Sequence, residues 1–137
     1  MQRAHDVLRL PFERSTPGIA RTRLAGFLTV NQVPSPRIDD ALIVLSEMLT
    51  NAVSHGKPGE DGMIEVRWSI GQGLLEISVR DDGRDSELKP VDFDHDSLSG
   101  RGLSIISRIA DRWWVDISNG TCVNAELGLD DATAGQA

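Results

Sequence analysis

The sequence predicts an α+β fold: a two-layer sandwich in which a mixed, mostly antiparallel sheet is covered on one face by helices. Three observations predict it. Strand-period segments at 63–70 and 74–80 flank Gly71-Gln72-Gly73, a hairpin signal. Two stretches of helical period precede that hairpin and a third follows it. Two more strand-like segments close the chain. Hairpins set between groups of helices suit two layers, whereas a doubly wound parallel sheet needs strands and helices in alternation.

The elements follow in order. Val7, Leu8 and Leu10, with Phe12, make a short first strand closed by Pro11. Ser15-Thr16-Pro17 is a helix start, with a capping hydroxyl ahead of a proline in the first turn. Ile19, Ala20, Leu24, Phe27 and Leu28 keep helical spacing to about residue 30, and Asn31 to Pro36 breaks it with two prolines. The second helix runs over 38–56. Leu42, Leu45, Leu49 and Ala52, with Ala41, Met48 and Val53, give it one wide apolar face. Glu47, Asn51 and His55 form a polar stripe at four-residue spacing, and Gly56 is its stop signal. Residues 57–62 read as a turn. Leu75, Ile77 and Val79 point one face of the 74–80 strand at the core. The pattern stops at Asp81-Asp82-Gly83. Residues 84–99 are polar, acidic and aperiodic, a length that in compact domains usually marks a lid. Leu103, Ile105, Ile106 and Ile109 predict a short helix. Trp113, Val115 and Ile117 predict a strand, Ser118-Asn119-Gly120 a turn, and Cys122 to Leu129 a last strand. The whole of 1–137 is expected to be one domain, with its core at about 7–129 and a frayed polar tail at 130–137.

Composition narrows the function classes. A formal net charge of −7 repels a phosphate backbone, so direct nucleic-acid binding is not expected. The single cysteine, Cys122, allows no intrachain disulfide and suits a cytoplasmic location. No run approaches the ~20 apolar residues of a membrane span. Asn119-Gly120-Thr121 matches a glycosylation acceptor but reads as a turn. There is no phosphate-binding G-x-x-x-x-G-K-[ST] loop. Residues 81–92 fail as a calcium loop, because Ser86 replaces the turn glycine and Asp92 the bidentate glutamate. Three scattered histidines and one cysteine make no zinc site.

Three segments remain that together point to chemistry. One is the helix carrying Glu47 and Asn51, one turn apart. Another is the strand end Asp81-x-Gly83. The third is Gly100-x-Gly102 ahead of a helix. A carboxylate can accept a proton, and an amide oxygen is a hard ligand suited to Mg²⁺, which protein groups and substrate phosphates usually hold together.

In this order and at these separations the set resembles the GHKL ATP-binding superfamily of gyrase, histidine kinases and MutL. It is most similar to the small anti-sigma factor and serine-protein kinase branch. Ser46 to Gly56 resembles that branch's N box, Asp81-Asp82-Gly83 its first glycine box, and Gly100-Arg101-Gly102-Leu103-Ser104-Ile105-Ile106 its second. Arg112-Trp113 and the ending from Gly120 to Leu127 fit small actinobacterial-type members. The resemblance covers roughly Leu8 to Leu129 and implies the histidine-kinase-like ATPase fold. It implies that Asp81 accepts a hydrogen bond from the adenine amino group and that Gly83 admits close approach of the base. Asn51 would hold Mg²⁺. Gly100 and Gly102, with Leu103, would bind phosphate at a helix start; Arg101 would either reach a phosphate or face a protein partner; and Thr121 would complete the nucleotide site. Glu47 would be the general base. The cofactors implied are ATP and Mg²⁺.

The partners implied are a sigma factor and an anti-anti-sigma protein of STAS type whose serine is phosphorylated. A homodimer is expected, without contact to nucleic acid or membrane. The alternative is a stand-alone ATP-binding adaptor that transfers no phosphate. Three departures bear on transfer more than on binding: Asp85 stands where the first box usually continues to a second glycine, Trp114 replaces a small residue, and Asn119-Gly120-Thr121 stands where the family often has a richer glycine pair. No histidine-bearing dimerisation helix precedes the domain, so a complete sensor histidine kinase is not expected.

Overall fold

The computed structural model describes residues 4–83, 103–117 and 120–129. The elements are β1 (Ala4–Pro11), α1 (Thr16–Val30), α2 (Ser35–His55), β2 (Met63–Gly71), β3 (Leu74–Asp81), α3 (Leu103–Ile109), β4 (Arg112–Asp116) and β5 (Thr121–Gly128). The strands form one sheet in the order β1-β2-β3-β5-β4. Every described pair of neighbours is antiparallel, so the parallel part of a mixed sheet is not among them. Helices cover one face, and the α+β two-layer sandwich is as the sequence predicts. The predicted lid at 84–99 and the tail at 130–137 lie outside the described residues.

Two turns show how local sequence sets the frame. Gln72 and Gly73 both have positive φ, at 57° and 76°, and Gly71 pairs with Leu74 across them. That is a two-residue hairpin whose twist matches its strands. At the end of α1, Gln32 takes φ 63°. The Gln32 amide donates to the Thr29 carbonyl at 3.0 Å and the Val33 amide to the Leu28 carbonyl at 3.0 Å. These two bonds are the Schellman closure, here without glycine.

The start of α1 differs from the sequence expectation. Ser15 has helical φ and ψ and its hydroxyl caps no backbone N–H; it donates to Glu13 Oε1 at 2.9 Å instead. A residue already in the α region points its side chain away from the orphan amides that a capping oxygen must reach. The first turn is tied down by Thr16, buried, whose hydroxyl donates to the Pro11 carbonyl.

The core is the seam between the helices and the inner face of the sheet. Ala20, Leu24 and Leu28 of α1 recur every four residues and are fully buried against Ala41, Val44, Leu45, Met48 and Leu49 of α2. Each such leucine contributes about 1.5–3 kcal/mol of burial. Trp68 is buried from β2, with Phe27 of α1 tilted against it at 6.2 Å. Its indole N–H donates to Asp6 Oδ2 at 3.3 Å, which satisfies the one polar atom that burial would otherwise strand. Of the other tryptophans, Trp113 packs against the core, while Trp114 lies under the Arg112 guanidinium at 5.0 Å.

Candidate functional site

Strand parity places Asp81. Leu75, Ile77 and Val79 are buried on the inner face, and Asp81 continues that row to the end of β3. Its carboxylate is therefore buried where an apolar side chain would be expected, with only 6% of its surface exposed. Asp81 Oδ1 accepts the Gly83 amide at 2.6 Å and the Lys57 amide at 3.3 Å. Burial raises its pKa above the ordinary value, and the Asp82 charge adds to the rise; the two amides pull the other way.

The surroundings of Asp81 are backbone. Gly120 has φ 79°, and a Cβ there would stand 2.4 Å from the Asp81 carbonyl oxygen. Thr121, opposite Asp81 on β5, donates its hydroxyl to the Gly83 carbonyl at 2.7 Å. Gly56 lies against the carboxyl group, and the Asp82 amide donates to the Lys57 carbonyl at 2.8 Å. The end of β3, the exit of α2 and the start of β5 are thus bound into one knot.

Asn51 lies one and a half turns back along α2. It is 6% exposed, between Met48 and Ala52 on the apolar face, rather than solvating the helix. Its Oδ1 is buried without a hydrogen-bond partner among the described residues. A stranded acceptor of this kind costs about 1–3 kcal/mol, which makes Asn51 Oδ1 a candidate ligand-binding atom. Glu47 stands one turn earlier, about 6 Å along the axis, half-buried and with no hydrogen bond or ion pair among the described residues. Beside it, Arg21 of α1 donates to the Ser46 hydroxyl at 3.3 Å. His55, the last residue of the stripe, is exposed.

Of the residues singled out from sequence, Asp81, Gly83 and Thr121 are therefore in mutual contact, and Glu47 and Asn51 share one helix whose end abuts them. Gly100, Arg101 and Gly102 lie outside the described residues; Leu103 opens α3, and its side chain is likewise outside them. Sequence reasoning missed the Lys57 backbone and read Gly56 as a stop signal at the end of the N-box-like segment, not as a neighbour of Asp81. A glycine beside a helix end that is not left-handed is the clue to close packing: Gly56 has φ −91° and ψ −163°. A cavity of 280 Å³ between β1, β2 and β3 is lined by none of the site residues. Among the described residues no three His, Cys, Asp or Glu converge on a metal position. A lone hard oxygen at Asn51 fits a cation held chiefly by a ligand's phosphates, and fits a cation held by protein alone poorly.

A helix-backed antiparallel sheet with its polar site at the junction of α2 and β3 belongs with the ATPase domains of kinase type. The sequence matches the histidine kinase-like ATPase domain over residues 13–127, and the chain belongs to that family. Serine-protein kinase RsbW of Bacillus licheniformis is 32% identical, over 99% of this chain and 97% of that protein. The RsbW kinases of Bacillus pumilus and Listeria monocytogenes are also 32% identical, each with 80% of its length covered. In structure, the chain is similar to the RsbU and RsbW domains of a Mycobacterium tuberculosis protein, with a TM-score of 0.70 at 19% identity. That match takes in 94% of this chain and 32% of the longer one. The SiaB–SiaC complex of Pseudomonas aeruginosa gives a TM-score of 0.65 at 15% identity, covering 89% and 87%. Membership of this family implies ATP as the nucleotide. No helix of the described residues is long and apolar enough to cross a membrane.

Proposed function

We propose that this chain is an anti-sigma factor and protein serine kinase that works by partner switching. It would hold a sigma factor, and phosphorylating a serine of a STAS-type anti-anti-sigma protein would release that antagonist. The observation that carries the reading is the buried Oδ1 of Asn51, without a partner among the described residues, one turn from Glu47. The printed activity of the RsbW relatives supports it.

The residues divide the work. Asp81 Oδ1 is held by two backbone amides, which leaves Oδ2 for the adenine amino group. Thr121 and Gly83 hold the strand end that frames the base. Asn51 Oδ1 would hold Mg²⁺, which when bound supplies charge neutralisation between the phosphates. The Glu47 carboxylate takes the serine proton as the serine oxygen bonds to the γ-phosphorus and the bond to the ADP oxygen breaks. Gly100, Arg101, Gly102 and Leu103 are assigned to phosphate binding from the motif alone.

The test is transfer of labelled γ-phosphate to candidate anti-anti-sigma proteins of the same genome. Glu47→Gln keeps the shape and loses the basicity. It should retain ATP affinity and lose about 10²–10⁴-fold in transfer rate. Equal rates for the two proteins would remove Glu47 as the base. A wild type that binds ATP and labels no candidate would favour the adaptor.

A further inference from the structure

We propose that Gly56 is a positioning residue for base specificity, holding the Asp81 carboxylate in the one orientation that can read an exocyclic amino group. This rests on the reading of Asp81 as the adenine acceptor. Gly56 follows α2 in extended backbone, φ −91° and ψ −163°, which any residue adopts. Its own conformation therefore does not require glycine; its neighbour does. A Cβ at position 56 would stand 2.5 Å from both Cγ and Oδ2 of Asp81, and 2.7 Å from the Ala52 carbonyl. The missing side chain lets the helix exit lie flush against the carboxyl group.

That contact has a consequence one residue on. With the backbone of residue 56 against the carboxylate, the Lys57 amide reaches Asp81 Oδ1 and the Lys57 carbonyl accepts from the Asp82 amide. Oδ1, which also takes the Gly83 amide, is then committed, and Oδ2 on the Gly56 side is the oxygen left to accept from a ligand. An alanine at 56 must displace the carboxylate, because the other near atom is backbone of the same helix. The displaced group loses the Lys57 bond and with it a defined direction for Oδ2. Gly56 touches no reacting atom and acts only through Asp81.

The experiment compares two nucleotides: ATP and purine riboside 5′-triphosphate, which lacks the 6-amino group. Dissociation constants are measured with saturating Mg²⁺ on folded protein. Wild type should prefer ATP by about tenfold or more, the scale of a hydrogen bond to a charged acceptor. Gly56→Ala should reduce that ratio to below about threefold and leave purine riboside triphosphate binding within about twofold, since one amino contact is all that is lost. On an Asp81→Ala background the same change should alter neither constant. If Gly56→Ala does not fold, Lys57→Pro, which deletes the amide donor, carries the test with the same expected ratio. Equal weakening of both nucleotides, or an unchanged ratio, overturns the inference. A wild type without preference for ATP instead refutes the reading of Asp81, a separate outcome.

Discussion

Replacing Asn51 by leucine should strengthen the free protein while removing its response to Mg·ATP. The side chain is 6% exposed, on the same face as Met48 and Ala52, and its Oδ1 has no partner among the described residues. Leaving a buried acceptor unpaired costs about 1–3 kcal/mol, and an apolar group of similar shape can be neutral or better. Leucine shares the branched heavy-atom skeleton of asparagine, with two methyls in place of the amide oxygen and nitrogen, so repacking should cost less than about 1.5 kcal/mol. The net expectation is a gain of about 0–2 kcal/mol without ligand. Ligand at ~100 times its Kd stabilises wild type by about 2.7 kcal/mol. For a chain of this length each kcal/mol moves Tm by roughly 3–5 °C, so the wild-type shift is about 10 °C. Asn51→Leu should melt at or above the wild-type temperature without nucleotide and shift by less than about 3 °C with it. Thermal scans of both proteins, with and without Mg·ATP, decide it. A variant that melts well below wild type yet keeps the full nucleotide shift would refute the assignment, because Asn51 would then be a satisfied structural residue.

Two further expectations concern Asp81. Burial raises its pKa above 3.8, so the native state binds that proton more tightly than the unfolded chain does. Its contribution to stability is then fully present below 3.8 and is lost as pH rises through the native value. Denaturation across acidic pH should show Asp81→Asn lacking this decline, and a variant with the wild-type profile would contradict it. Gly120→Ala forces left-handed backbone on a residue with a Cβ, costing about 1–2 kcal/mol before its clash with the Asp81 carbonyl is added. Urea denaturation should show at least that loss; a loss under about 0.5 kcal/mol would mean that the turn re-forms elsewhere.

Sequence by itself determined the elements and the direction in which key side chains point. The two-residue period of β3 sends Asp81 to the same side as Leu75, Ile77 and Val79, and the apolar spacing of α2 fixes its buried face. These follow from backbone geometry that repeats locally, so they are legible in a single chain. The motif at Glu47, Asn51 and Asp81 was legible for the same reason, since each sits on a regular element. Tertiary structure alone decided the rest. That Ser15 caps nothing depends on the path of the chain out of β1, and on Thr16 finding the Pro11 carbonyl. That Asn51 is buried without a partner among the described residues, while His55 of the same stripe is exposed, depends on how α2 packs between α1 and the sheet. That Gly56 is required by Asp81, 25 residues away, depends on the helix exit meeting the strand end. A short-range pattern records the angle at which a side chain leaves its own backbone. It carries no record of which distant backbone will come to lie against that side chain.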